Sequence, residues 1–338
     1  MRVLITGGYG CIGAWIIRNL IDAGSSVWVY DLREDLSRLK LILTDREIGL
    51  VSFIKGDIVD QALLVRQIQQ NDITHIIHLA GLQVPACSKD PIMGAQTNVL
   101  GTLAVFEAIG QTNNQIQGFV YASSAAVFGP PDKYPSGPLA DSVRLHPSTH
   151  YGYFKCCNEG NAAIYFQDRG ISSIGLRPWT VYGVGRDKGM TSEPTKAIKA
   201  LALGRPYHIT YGGWQDLQLV NDVAKVFIRC VATPYRGCTS YNLRGHVVNI
   251  ETFHAALCQV DPAAQKFVTF GSRQLAIAYD LDDAALQRDF GPLPITPLVD
   301  GIRQTMDQFR SLQRSGNLDC SDLDLPEAKP NVPVGDSP

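Results

Sequence analysis

The stretch LITGGYGCIGAWI, residues 4–16, runs from an apolar segment through three spaced glycines into a helical pattern. Gly7, Gly10 and Gly13 stand in a GxxGxxG arrangement. Glycine lets a backbone turn tightly and approach a pyrophosphate, and a helix N-terminus offers unpaired N–H groups and a positive dipole end. The triplet carries weight here because it lies between the first strand pattern and the first helix pattern, the context a dinucleotide-binding turn requires.

Outward from this turn, RVLIT (2–6), SVWVY (26–30), VSFIKG (51–56), THIIHLA (74–80), IQGFVYA (116–122) and ISSIGL (171–176) read as strands. CIGAWIIRNLIDAG (11–24), DQALLVRQIQQN (60–71), PIMGAQTNVLGTLAVFEAIG (91–110) and YGYFKCCNEGNAAIYFQDRG (151–170) separate them as helical patterns. Near-continuous apolar strands alternating with amphipathic helices predict an α/β protein with a Rossmann-type, doubly wound parallel sheet covered on both faces. Residues 1–176 are read as the dinucleotide-binding Rossmann domain, with 217–233 belonging to its core. After LRPWTVYG (176–183) the rhythm breaks, with helical patterns near 192–203, 222–233, 250–259 and 297–314. Residues 177–314 therefore read mainly as a smaller C-terminal substrate-binding lobe that walls a cleft. The acidic, proline-rich segment 315–338 has little to bury and is expected to be a mobile tail.

With 45% hydrophobic residues among 338, the chain can bury a substantial core. A formal charge of −2 and a pI near 6.4 provide no basic field for a phosphate backbone, so nucleic acid is not an expected partner. Strand-like residues start directly after Met1 and the apolar runs look shorter than a bilayer needs, so neither a signal peptide nor a membrane span is expected and the protein reads as cytoplasmic. Eight cysteines without a CxxC pair and seven scattered histidines point to reduced packing thiols and no metal site.

Asp31 closes the second strand pattern in VWVYDLR. A carboxylate there accepts hydrogen bonds from adenosine ribose hydroxyls and repels a 2′-phosphate, which favours NAD over NADP, with Arg33 able to soften that preference; the bland alternative is a strand-terminal turn residue. Asp57 in IKGDIVD meets the adenine or caps a helix. HLAG (78–81) brings backbone close to the cofactor. In THYGYFKCCNEG (149–160), Tyr151 and Lys155 are four apart and share a helix face, as a proton shuttle or as a surface pair.

TGGYGCIG, Asp31, GDI, HLAG, Asn98 in TNVLGT, YASSAAVFG, YGYFK and LRPWTVYG occur in one order and spacing. In this the sequence resembles the extended short-chain dehydrogenase/reductases, the NAD-dependent epimerase/dehydratase group, in detail over about residues 1 to 230 and loosely beyond. The resemblance implies NAD as cofactor, Tyr151 as the acid/base on a substrate hydroxyl, Lys155 beside the nicotinamide ribose, Ser124 bridging substrate oxygen and tyrosine, and Ser123 nearer the cofactor. It implies a cofactor site of Gly7, Gly10, Cys11, Ile12, Gly13, Asp31, Asp57, Ile58, Leu79, Ala80, Gly81, Asn98, Ser123, Tyr151, Lys155 and Pro178. For Asn98, satisfying backbone near the cofactor is the alternative reading. A cation ~4 Å from the phenol at an effective dielectric of ~20 interacts by roughly 4 kcal/mol, so the Tyr151 pKa is expected to fall by about three units from ~10.

Dehydratases and decarboxylases of the group resemble one another in carrying an acid after the serine, whereas this chain has Ala125 and Ala126, which cannot transfer a proton. The lobe looks most like that of UDP-glucuronate and UDP-glucose 4-epimerases. One departure is Gln215 before Asp216, in a motif ending Asn221-Asp222, where relatives have an arginine that grips a diphosphate. Arg186 and Lys188 either replace that cation or form a solvated loop pair. Expected substrate contacts are Gln83, Ser124, Trp179, Arg186, Thr191 and Gln215. The expected function is NAD-dependent 4-epimerisation of a nucleotide sugar through a keto intermediate. Behind it stand dehydrogenation or reduction of a free sugar, sugar acid or polyol, and a non-catalytic NAD-binding scaffold. A homodimer is implied through helices near 92–110 and 150–169, with Leu103, Phe106, Ile164 and Phe166 fitting either that interface or ordinary sheet packing.

Overall fold

The computed structural model describes residues 1–112 and 115–324. The glycine-rich stretch is the turn from β1 (Arg2–Thr6) into α1 (Cys11–Asp22), which β2 (Ser26–Asp31) follows. Next come α2 (Asp45–Ile48), β3 (Val51–Lys55), α3 (Gln61–Gln70) and β4 (His75–His78). Then α4 (Val84–Lys89), α5 (Pro91–Ala95), a π-helical segment (Gln96–Leu100) and α6 (Gly101–Gly110) lead to β5 (Gly118–Ala122), α7 (His150–Arg169) and β6 (Ser173–Arg177). Past β6 lie β7 (Thr180–Tyr182), α8 (Glu193–Ala202), β8 (Tyr207–Ile209), β9 (Trp214–Leu219), α9 (Val220–Ala232) and β10 (Cys238–Asn242). The chain continues through β11 (His246–Asn249), α10 (Ile250–Val260), α11 (Ala264–Phe267), β12 (Val268–Phe270), α12 (Ala284–Phe290), α13 (Leu298–Arg314) and α14 (Ser321–Asp324).

Seven parallel strands form the main sheet in the order β3-β2-β1-β4-β5-β6-β10. Successive β1 side chains point to opposite faces. Val3 and Ile5 pack with Ile16, Ile17, Val223 and Phe227 of α1 and α9, whereas Leu4 packs with Leu64, Ile68 and Phe106 of α3 and α6. Burial on both faces is why these strands read as unbroken apolar runs. The order reverses between β1 and β4, which opens a crevice at the carboxyl ends of the strands. β10, CTSYN, is the strand that sequence patterning missed, because an edge position tolerates Cys, Thr, Ser and Asn.

The lobe is built on a three-stranded sheet, β11-β9-β7, and a pair, β12-β8. Its core joins Tyr182, Ile198, Leu201, Phe253, Leu257, Ile302, Met306 and Phe309. The chain after Ser315, expected to be mobile, is held at its start: the Lys199 ammonium donates to the Asp319 carbonyl and pairs with Asp322 at 2.5 Å, Arg205 pairs with Asp324, and Leu318 packs on the lobe core. The acidic composition that suggested solvation supplies the partners of these cations. The rest of that tail, 325–338, lies outside the described residues.

Pro91–Gly110 is long and apolar enough, by length and composition, to cross a membrane, against the expectation from sequence that no run is. In the fold, Val105, Phe106, Ala108 and Ile109 of this stretch are core residues under the sheet. Phe106 is fully buried and stacks on Tyr165 at 4.6 Å, so it belongs to sheet packing. Ile164, in contrast, is exposed.

Candidate active site

A cleft of about 880 Å³ occupies the switch-point crevice between sheet and lobe. Its floor is the glycine-rich turn. A Cβ on Gly13 would sit 2.4 Å from the Gly8 carbonyl oxygen, so only glycine lets α1 start this close to the turn. No side chain caps α1, which leaves its N-terminal dipole and N–H groups facing the cleft, as a phosphate requires. Asp31 ends β2 at the cleft wall, with its carboxylate accepting the Leu32 N–H (2.8 Å), and burial raises its pKa. Asp57 lines the cleft as well. The helix-cap reading fails for it, because Asp60 caps α3 through the Leu63 N–H (2.9 Å).

Two elements bring Ser124, Tyr151 and Lys155 together. Thr149 caps α7 by accepting the Gly152 N–H (3.0 Å), and a Cβ on Gly152 would lie 2.3 Å from the Ala126 carbonyl oxygen. This close approach sets Tyr151 against the turn that follows β5, where Ser124 lies. One helical turn on, the Lys155 ammonium donates to the Ala122 carbonyl at 2.6 Å and stands 5.5 Å from the Tyr151 ring centroid. Burial pushes the Lys155 pKa down to about 8, opposed by the nearby Cys87 and Glu159. The Tyr151 phenol moves opposite to expectation: burial raises it, while hydrogen bonding by Ser124 and the charge of Arg186 work the other way. Desolvating the phenolate outweighs those groups, and Lys155, itself weakened by burial, spends a donor on Ala122.

Gly7, Gly10, Cys11, Ile12, Gly13, Asp31, Asp57, Ile58, Leu79, Ala80, Gly81, Ser123, Tyr151, Lys155 and Pro178 all line this cleft. Asn98 does not. It is buried behind Gly81, and its amide donates to Leu82 O (3.2 Å) and Gly94 O (3.0 Å), so it shapes the loop after β4. Gln83, Ser124, Trp179, Arg186 and Thr191 line the substrate side. Arg186 donates to the Thr191 hydroxyl (3.1 Å), whereas Lys188 is exposed. Gln215 is absent from the cleft wall: it is fully buried in β9 and neither amide atom has a hydrogen-bond partner. Trp179 is fixed at both ends, its backbone N–H to Gln218 Oε1 (3.1 Å) and its indole N–H to Ala278 O (2.7 Å).

Sequence reading missed the supports beneath these residues. The Ser123 hydroxyl donates to Glu159 at 2.5 Å, and Arg177 grips the same carboxylate through Nε (2.9 Å) and Nη2 (2.7 Å). Glu159 had a signal, since it lies four residues after Lys155 on one helix face. His78 is buried between Thr6 (2.7 Å) and Thr102 (3.0 Å), and burial with the Lys155 charge pushes its pKa to about 3. Thr102 gives its proton to Asn98 O (2.7 Å), so neutral His78 donates from Nε2 and accepts at Nδ1. Among the described residues no three His, Cys, Asp or Glu side chains are grouped to hold a metal.

A glycine turn at a sheet switch point, a carboxylate at the end of β2 and a Ser–Tyr–Lys set in one cleft define an extended short-chain dehydrogenase/reductase. The chain belongs to the NAD dependent epimerase/dehydratase family, whose model matches residues 3–250. It is 27% identical to the UDP-glucose 4-epimerase of Mycolicibacterium smegmatis over 321 residues, covering 92% of this chain and 99% of that protein. It is 30% identical to the UDP-glucose 4-epimerase of Lactobacillus helveticus over 188 residues, 55% of this chain, and there it spans about half of the relative's length, 54%. The Thermus thermophilus UDP-glucose 4-epimerase, solved in complex with NAD, superimposes with a TM-score of 0.76 at 25% identity, covering 92% of this chain and 99% of that one.

Proposed function

We propose that this protein is an NAD-dependent epimerase of a nucleotide sugar, inverting C4 through a keto intermediate. The observation that carries the proposal is the meeting of Ser124, Tyr151 and Lys155 in the cleft that also holds the glycine turn and Asp31, with alanines at 125 and 126. Alanine there leaves no acid for eliminating water or carbon dioxide, so proton and hydride movement at one carbon is the chemistry that remains. The relatives named above support the same reading.

NAD, when bound, supplies the acceptor and donor of a hydride. Tyr151 takes the proton of the C4 hydroxyl as the carbonyl forms and gives it back on the return. Lys155 stabilises the phenolate by its charge and would hold the ribose of the bound cofactor. Ser124 holds the substrate oxygen against the phenol. Asp31 would accept hydrogen bonds from the ribose hydroxyls and disfavour a 2′-phosphate, which would select NAD. Trp179 and Ile277 give the substrate side an apolar wall that limits water.

Dehydrogenation of a free sugar or sugar acid is the second reading. The burial of Gln215 away from the cleft favours it, since no arginine from that position meets a diphosphate there. Incubation with UDP-glucose, UDP-glucuronate and free uronates, followed by chromatography, separates the two: the proposal expects a C4 epimer of a UDP-sugar, and products from free uronates alone would replace it. We further propose a cytoplasmic homodimer paired through the helical stretch 91–110 and α7, supported by exposed Leu100 on the first and Tyr153 and Ile164 on the second. A light-scattering mass near one 36.9 kDa chain would remove the dimer.

A further inference from the structure

We propose that Arg38 is a cofactor-retaining residue: its guanidinium ties the glycine-rich turn to the 183–191 loop of the lobe, so that the dinucleotide is held as a resident group. This rests on the epimerase reading, in which the reduced cofactor stays in place until the hydride returns. Arg38 lies beyond β2, on the connection that follows Asp31, and lines the cleft. Its Nη1 donates to the Tyr9 carbonyl (3.1 Å), inside the glycine turn. Its Nε donates to the Gly185 carbonyl (3.0 Å), and Nε and Nη2 reach Asp187 Oδ1 at 3.1 and 2.7 Å.

One planar fork thus joins two walls that belong to different parts of the fold. Tyr9 sits where the phosphates belong, whereas the loop held at Gly185 and Asp187 carries Arg186 and Thr191 toward the reacting end near Tyr151. A second bond, from the Trp15 indole to the Val184 carbonyl (2.9 Å), ties α1 to the same loop. A dinucleotide lying between these walls leaves only when they part.

The strength of the clamp is in its geometry. The Arg38 and Asp187 side chains are 17% and 35% exposed, so their Coulomb attraction is screened and worth little alone. The charge-assisted bonds to backbone carbonyls are stronger, and they need donors in a fixed plane. A lysine ammonium cannot reach the Tyr9 and Gly185 carbonyls and Asp187 from one stem, so charge without the fork does not suffice.

The test uses the full chain as wild type, Arg38→Ala, Arg38→Lys and Asp187→Asn. Each is passed through a desalting column, heat-released nucleotide is quantified by chromatography, and the Kd for added NAD is measured by calorimetry. Wild type is expected to keep near-stoichiometric NAD. Arg38→Ala and Arg38→Lys are expected to emerge nearly empty, with Kd raised roughly tenfold or more, and Asp187→Asn to fall between. Should Arg38→Ala fail to fold, Arg38→Lys and Asp187→Asn carry the same comparison. Retention by the Arg38 variants equal to wild type would overturn the clamp while leaving the epimerase reading intact. A wild type that itself emerges empty would overturn residency, and epimerisation of UDP-glucose with added NAD would then judge the epimerase reading separately.

Discussion

The Lys155 ammonium stands 5.5 Å from the centroid of the Tyr151 ring, one turn along the same helix, while its hydrogen bond goes to the Ala122 carbonyl. A buried cation so placed acts on the phenol only while it is charged. Because burial lowers Lys155 from its ordinary 10.5 to about 8, the rate is expected to fall on the basic side near pH 8, which a pH–rate profile reads directly. The sign for stability follows from proton counts. Between pH 8 and 10.5 the unfolded chain binds more protons at this lysine than the folded one, so the lysine's destabilising effect is full below pH 8 and fades as pH rises. The melting temperature of Lys155→Met relative to wild type should therefore decline as pH climbs from 8 to 10.

Tyr151→Phe removes the phenolic oxygen to which the proposed mechanism assigns proton transfer and should cost roughly 10³-fold in turnover, within the usual range for general acid–base catalysis. Ser124→Ala should cost roughly 10²-fold through the lost hold on the substrate oxygen. Both variants should bind NAD as wild type does in calorimetry. Loss of NAD binding in either would move that residue from proton transfer to cofactor support.

Gln215 is fully buried with both amide atoms unpartnered. Each such group costs about 1–3 kcal/mol, so Gln215→Met should raise stability by that order and leave turnover within about twofold. Gln215→Arg, which restores the residue type of the relatives, should instead bury an unpaired cation and lower the melting temperature sharply. Thermal denaturation of the two variants checks both directions.

The Arg177–Glu159 pair is buried, with side chains 4% and 10% exposed. Glu159→Gln leaves the arginine unpaired and should cost about 3–5 kcal/mol, and adding Arg177→Met should recover much of that. Turnover should stay low in the double variant, because the Ser123 hydroxyl has lost the carboxylate that holds it. Wild-type turnover in the double variant would reduce the pair to packing.

Features that depend on local periodicity were legible in the sequence: six of the seven parallel strands, the glycine turn, and Tyr151 with Lys155 on one face. Features that depend on which way a side chain leaves its backbone were not. Asn98 sits beside the cleft residues Thr97 and Leu100 yet turns its side chain into the protein, and Gln215 lies buried in β9 away from the cleft. Contacts between distant segments left no local trace either. Arg38 meets Asp187 and Ser123 meets Glu159 because the fold crosses those chains; the helical spacing of Glu159 from Lys155 places it on a face but does not reveal Ser123 as its partner. The Tyr151 phenol rises where a pairwise Coulomb sum expects it to fall, because that sum omits desolvation, the largest influence on it.

The central claim is that the hydride taken from the sugar returns to it. UDP-glucose deuterated at C4, incubated with the enzyme and examined by mass spectrometry and reduced-nicotinamide absorbance, tests this directly. The proposed reaction yields a C4-epimerised UDP-sugar that keeps its deuterium, with no net accumulation of reduced cofactor. An oxidised product formed together with an equal amount of deuterated NADH would contradict it.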